Sequence, residues 1–185
     1  MIKHFSQLLR VPQWIKNLFV FVPLMFSLHL FEENYFISTA KAFVIFCLAS
    51  SFIYIINDII DIKADAVHPQ KKNRPLPSGA ISKQAAIITA IVLFILLSVL
   101  SFISPSEFIY ILVSFILLNV LYSFYFKHIV ILDVFSIAAG FTLRVLGGAA
   151  IIAVPVSSWL ILTTMFISLF LVVMKPHSDL QQITH

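Results

Sequence analysis

The stretch Asn57-Asp58-Ile59-Ile60-Asp61-Ile62-Lys63-Ala64-Asp65 sets three carboxylates at spacings of three and four, directly after the uncharged run from Ala42 to Ile56. At about 100° per helical residue, Asp58, Asp61 and Asp65 fall within roughly 60° of one another on one helix face. Asn57 lies one turn from Asp61 and widens that face. Hard oxygen donors gathered at the end of an apolar helix suit Mg²⁺ or Mn²⁺. Magnesium commonly takes one or two protein carboxylates and leaves its other positions to water and substrate phosphates. Asn57, Asp58, Asp61 and Asp65 are therefore the candidate metal ligands, with Asp58 and Asp61 the candidate catalytic pair. The plainer alternative is a polar helix end reaching water.

The next loop, His68-Pro69-Gln70-Lys71-Lys72-Asn73-Arg74-Pro75-Leu76-Pro77-Ser78-Gly79, favours the chemical reading. Its prolines stiffen it, so its cations meet an anion at lower ordering cost. Arginine grips phosphate with two parallel donors, and lysine acts as a compact point charge. Lys71, Lys72 and Arg74 are the cations it presents, with Lys72 and Arg74 the candidate anion ligands; an ordinary basic loop that meets lipid headgroups is the alternative. Tyr122-Ser123-Phe124-Tyr125-Phe126-Lys127 offers hydroxyls and an ammonium, and doubles as an interfacial Tyr/Lys belt. Asp133 and Arg144 stand eleven residues apart, close to three whole turns, and so share a helix face. A charge at the bilayer centre costs about 2.5–3.5 kcal/mol even on lenient scales, so Arg144 is expected to face a polar cavity or to pair with Asp133.

These residues need apolar elements to position them, and the composition supplies them. The chain is 61% hydrophobic and 11% charged, against about 25% charged in soluble domains. Residues 84–106, 108–126 and 145–174 contain no Asp, Glu, Lys or Arg, and each run is long enough to span a bilayer. The expected fold is all-α, a multi-pass transmembrane helical bundle. Its six spans fall near 18–31, 38–57, 84–104, 107–126, 129–152 and 157–174. Pro105-Ser106 and Pro155 with Ser157-Ser158 mark turns. Gly140 and Gly147-Gly148 allow helices to approach closely. The N-terminal apolar run lacks a small-residue cleavage site and is followed by Glu32-Glu33, so it reads as a retained helix. The one cysteine, Cys47, lies inside an apolar run and reads as packing.

Ten of the twelve Lys and Arg residues fall on one side of this arrangement, with Lys41 opposite and Arg144 inside a span. By the positive-inside rule, that face and both chain ends are expected in the cytoplasm, with the protein in the plasma (inner) membrane. Asp58, Asp61, Asp65, Asp133 and Asp179 share the basic side. The net basic charge thus concerns topology, membrane lipids and anionic substrates, not nucleic acid.

Asn57-Asp58, Asp61, Asp65, His68-Pro69, Arg74-Pro75-Leu76-Pro77-Ser78-Gly79 and Tyr122-Ser123 through Lys127 together resemble the UbiA superfamily of intramembrane prenyltransferases. Further stretches resemble its decaprenyl-phosphate phosphoribosyltransferase subgroup: Pro12-Gln13-Trp14-Ile15-Lys16-Asn17-Leu18-Phe19-Val20-Phe21, Leu132-Asp133-Val134-Phe135, Gly140 to Gly148, and Ser158-Trp159-Leu160. The likeness runs from about Arg10 to Lys175. It implies a nine-helix bundle around a cavity open to the cytoplasm and to lipid, with Mg²⁺ on the aspartate motif holding a donor diphosphate. In the subgroup the donor is 5-phosphoribosyl diphosphate and the acceptor a polyprenyl (decaprenyl) phosphate, as in cell wall precursor synthesis. Lys16, Asn17, Lys72, Arg74, Tyr122, Lys127, Asp133, Arg144 and Lys175 would contact substrate.

A second cytoplasmic segment, Lys-Arg-Arg-x-Glu-Leu in the subgroup, reads Lys175-Pro176-His177-Ser178-Asp179-Leu180 here. Lys175 and Asp179 keep its spacing; the basic pair is absent, and Pro176 is expected to disturb a helix. The expectation is a UbiA-type transmembrane domain over 1–175, the N-terminal two-thirds of the family fold, with a polar tail over 176–185. A chain so shortened is expected to be inactive alone. Two other readings stand beside the phosphoribosyltransferase. One is a prenyltransferase moving a polyprenyl group from its diphosphate to an aromatic acceptor such as 4-hydroxybenzoate. The other is a truncated, noncatalytic membrane protein.

Overall fold

A computed structural model describes residues 2–126 and 129–183, and the described residues form helices without strands. In chain order they are α1 (Ile2–Leu8), a 3₁₀ segment (Val11–Phe21), α2 (Val22–Phe26), α3 (Glu33–Ile60), α4 (Ile62–Val67), a 3₁₀ turn (Lys71–Asn73), α5 (Lys83–Phe102), α6 (Ser106–Phe124), α7 (Val130–Ile151) and α8 (Ser158–Ile183). Four of these helices are long and apolar enough to cross a membrane: α3, α5, α6 and α7 from Ile131. Shorter apolar helical stretches run over Val11–Phe26 and Ser158–Phe170. The multi-pass helical architecture agrees with the sequence, and the protein is an integral membrane protein.

The first expected span is corrected. Residues 18–31 do not form one α-helix: Val11–Phe21 winds as 3₁₀, α2 ends at Phe26, and Leu28 takes a φ of 64°. Pro12 and Pro23 each remove a backbone donor, which loosens the hold of regular α-helical bonding. A 3₁₀ segment rises about 2.0 Å per residue against about 1.5 Å in an α-helix, so each of its residues covers more length than in the expected α-helix. The helix expected to stop near Met174 also runs on, through Pro176, to Ile183.

The chain divides into two compact units, Met1–Asn17 with Val44–Ser104, and Leu18–Phe43 with Pro105–His185. In the first, the threefold period of the 3₁₀ segment sets Trp14 and Asn17 on one edge. Trp14 Nε1 donates to Ser51 Oγ at 3.0 Å, and Asn17 Nδ2 to Cys47 Sγ at 3.2 Å. Ser51 and Cys47 are one α-turn apart on α3, so two different helical periods mesh. Ser51 Oγ also donates to the Leu9 carbonyl at 2.8 Å. Leu8, Ile55, Leu76, Ile81, Ala86, Ala90 and Leu93 form the core beneath. Ser82 starts α5 by accepting the Ala85 N–H at 3.1 Å. On α5, Ile88, Ile91, Phe94, Ile95 and Val99 stay exposed, as expected of a helix facing lipid.

In the second unit, α7 packs with α8, α6 and α2. Gly148 permits the closest approach: a Cβ there would stand 2.0 Å from the Val20 carbonyl oxygen. The edge of Phe19 meets Phe141, with ring centroids 4.7 Å apart. The close helix approach expected at the Gly147-Gly148 pair is thus met at Gly148, by the 3₁₀ segment.

Candidate functional site

Helix α3 ends at Ile60, and Asp61 turns the chain into α4 with φ −87° and ψ 4°. That bend changes the expected three-carboxylate face. Asp58 and Asp65 are buried, and their carboxylates meet a common cation. Arg74 Nη1 donates to Asp65 Oδ2 at 2.6 Å and to Asp58 Oδ1 at 3.3 Å. Asp61 instead begins α4, its carbonyl accepting the Asp65 N–H at 2.8 Å. Asn57, half-buried, accepts the Asp61 N–H through its carbonyl at 2.9 Å. Among the described residues, no three His, Cys, Asp or Glu side chains gather as a metal site.

Arg10, outside the expected set, and Lys71 of the basic loop complete the cluster. Arg10 Nη2 donates to Asp58 Oδ1 at 2.6 Å, and its guanidinium lies 4.6 Å over the Tyr54 ring. Arg10 has a φ of 52°, a left-handed conformation that costs a non-glycine residue energy and persists where its contacts hold it. Lys71 Nζ lies 3.7 Å from Asp65 Oδ1. Three cations thus surround two carboxylates. Beside them opens a cleft of about 280 Å³ lined by Gln7, Arg10, Asp58, Gln70, Asn73, Arg74 and Pro75. Its amides and guanidiniums are hydrogen-bond donors suited to an anion.

The basic loop is held in place by apolar side chains. Leu76 and Ile81 insert into the core with Leu8 and Ile55. The Ile81 N–H donates to the Pro75 carbonyl at 2.9 Å, and Gly79 takes the φ of 75° that the turn requires. His68 Nδ1 accepts the N–H groups of Gln70 and Lys71 at 3.2 and 3.4 Å. These ties fix the first turn of the loop and aim Lys71 at Asp65. Lys72, an expected ligand, is exposed. Lys16 is also exposed. Asn17 is buried with Cys47 and Ser50, the latter donating to its Oδ1 at 3.5 Å, so its amide takes part in packing the 3₁₀ segment on α3.

The second unit gathers other expected residues. Tyr122 Oη donates to Asp133 Oδ1 at 2.8 Å, joining α6 to α7. Arg144 is buried, with two aromatic faces and a backbone carbonyl among its contacts. Its guanidinium carbon lies 4.6 Å from the Phe115 ring centroid and 5.5 Å from that of Phe141. Its Nη1 donates to the Gly140 carbonyl at 2.9 Å. Cation–π attraction and one carbonyl thus offset part of the cost of taking this charge out of water. Lys127 lies outside the described residues; Lys175 lies on α8, with its side chain outside them.

Fold and site together define a multi-pass helical membrane protein with a carboxylate–guanidinium cluster at the end of a spanning helix. The chain belongs to the UbiA prenyltransferase family, whose profile matches residues 18–184. It is 36% identical over 176 residues to the decaprenyl-phosphate phosphoribosyltransferase of Mycolicibacterium smegmatis, covering 93% of this chain and 55% of that protein. The protein of the same name from Corynebacterium glutamicum is 33% identical over 176 residues, covering 93% and 53%. The chain thus spans about half the length of these relatives. Among solved structures, a UbiA homologue from Archaeoglobus fulgidus bound to GPP and Mg²⁺ superposes with a TM-score of 0.74 at 19% identity, covering 96% of this chain and 64% of that one. That likeness bears on the fold alone.

Proposed function

We propose that these residues form the donor-diphosphate half of a phosphoribosyltransferase that moves phosphoribose from 5-phosphoribosyl diphosphate to a polyprenyl phosphate. The observation that carries this reading is the excess of cations: Arg10, Arg74 and Lys71 around Asp58 and Asp65, beside an amide-lined cleft. The relatives named for this activity support the choice of substrates.

Asp58 and Asp65 fit a divalent cation by the chemistry of the donor set. Two buried carboxylates already share one positive charge, and two are enough for magnesium when phosphates supply the other ligands. Asp61 and Asn57, at the adjoining bend, are the further candidate ligands. Such an ion, when bound, neutralises charge developing on the departing diphosphate. Arg10 and Arg74 line the cleft and offer N–H groups to the same anion, where such donors stabilise a leaving group. Gln7, Gln70 and Asn73 offer neutral polar contacts to the remaining oxygens. An acceptor phosphate oxygen attacks the anomeric carbon of ribose, the carbon–diphosphate oxygen bond breaks, and the electron pair leaves with diphosphate. The apolar spans leave the isoprenoid tail in lipid.

The test is a chimera in which residues 10–175 replace the matching segment of the Mycolicibacterium smegmatis relative. Given 5-phosphoribosyl diphosphate labelled in the ribose, and polyprenyl phosphate, it should form a chloroform-soluble labelled lipid. Transfer only from prenyl diphosphate to an aromatic acid would assign the chain to the aromatic prenyltransferases instead.

A further inference from the structure

We propose that Arg74 is an internal substitute for the divalent cation: without metal it neutralises Asp58 and Asp65, and metal entry releases its guanidinium to the substrate anion. The inference rests on the functional reading above and concerns how that site is regulated.

The geometry carries it in three parts. A single nitrogen, Arg74 Nη1, stands between oxygens of both carboxylates, at 2.6 and 3.3 Å. It therefore takes the position that an ion ligated by both would need. Asp58 and Asp65 are each only 3% exposed; with Arg74 withdrawn, Arg10 at 2.6 Å and Lys71 at 3.7 Å remain beside them, and an entering cation replaces the charge that bridged the two. Arg74 has somewhere to go: its side chain is 31% exposed and it lines the open cleft. Its backbone can stay where it is, because Leu76 and Ile81 anchor the loop independently of the ion pairs. Arg10 differs in this respect, since Tyr54 holds its guanidinium from a second side.

The exchange has a functional consequence. Metal and anion become coupled: the ion frees the guanidinium, and the anion then occupies it. Reciprocity requires each to favour binding of the other. Metal-free protein stays folded with its carboxylates neutralised, while metal alone binds weakly because it must displace an arginine.

The test compares the unsubstituted 185-residue chain with Arg74→Gln and Arg74→Lys in detergent micelles. Mn²⁺ binding is read by electron paramagnetic resonance, and thermal unfolding is followed in chelator and in Mn²⁺. Arg74→Gln should bind Mn²⁺ at least tenfold more tightly than the unsubstituted chain. It should melt lower in chelator and regain its melting temperature in Mn²⁺. Arg74→Lys, which keeps the charge, should resemble the unsubstituted chain in both measurements. If Arg74→Gln folds only with Mn²⁺ present, that rescue equally supports the exchange. Arg74→Gln that binds Mn²⁺ no more tightly and gains no stability from it would overturn the inference. The functional reading has its own readout: the unsubstituted chain should bind Mn²⁺ together with inorganic diphosphate. Failure there would strike the metal–diphosphate assignment, whatever Arg74→Gln does.

Discussion

At Asp58 two guanidiniums converge on a single carboxylate oxygen, at 2.6 and 3.3 Å. Replacing it by asparagine takes the carboxylate from Arg10, while Arg74 keeps its 2.6 Å contact with Asp65. Breaking a buried pair from one side costs about 3–5 kcal/mol. Asp58→Asn should therefore lower the melting temperature of the chain in micelles and abolish lipid labelling by the chimera; a variant of undiminished turnover would remove Asp58 from the mechanism. The two lysines of the loop make a sharper comparison. Lys71→Ala removes the ammonium near Asp65 and should raise the concentration of 5-phosphoribosyl diphosphate needed for half-maximal labelling. Lys72→Ala, on an exposed side chain, should change stability by less than about 0.5 kcal/mol and leave that concentration unchanged. Charge counting cannot tell these neighbours apart; the fold does, setting the Lys71 ammonium 3.7 Å from Asp65 and leaving Lys72 exposed. Arg74 could be anticipated because it lies nine residues from Asp65. Arg10 could not, because its partner is 48 residues away. Its only signal was membership of the basic set on the aspartates' side.

Among the elements, the 3₁₀ segment departs furthest from expectation. An apolar run states that a segment is buried in lipid or protein; it does not state whether that segment winds with three residues per turn or 3.6. The helices without proline in their interiors, α3, α5, α6 and α7, were legible because long apolar runs leave little other choice. What sequence did foreshadow is the glycine contact. A methyl group at Gly148 would lie 2.0 Å from the Val20 carbonyl oxygen and 2.8 Å from its carbon, both backbone atoms that cannot rotate away. Gly148→Ala must separate the segment from α7, at about 1–3 kcal/mol for such overpacking. Gly140→Ala meets only the end of the Arg144 side chain, at 3.4 Å, and should be tolerated. Thermal unfolding of the two variants side by side checks the difference. Equal melting temperatures would show that Gly148 is not a close contact.

For the molecule as a whole, the distribution of basic residues gives an orientation that can be tested without any substrate. With Lys3, Arg10 and Lys16 at the start and Lys63, Lys71, Lys72 and Arg74 after α3, both regions should face the cytoplasm. Reporters fused at residues 33 and 105 should be active outside, and those fused at residue 70 and at the C-terminus inside; a C-terminal reporter active outside would mean an odd number of crossings. The thiol of Cys47 offers a second whole-molecule measurement. It is the chain's single cysteine, buried on α3 and accepting the Asn17 amide. While the 3₁₀ segment stays docked, a maleimide should react with it slowly; once the segment peels away, alkylation should be fast. Nature has thus left a built-in gauge of whether the first stretch is seated. Labelling rate against detergent or temperature would report detachment of that stretch before the remaining helices unfold.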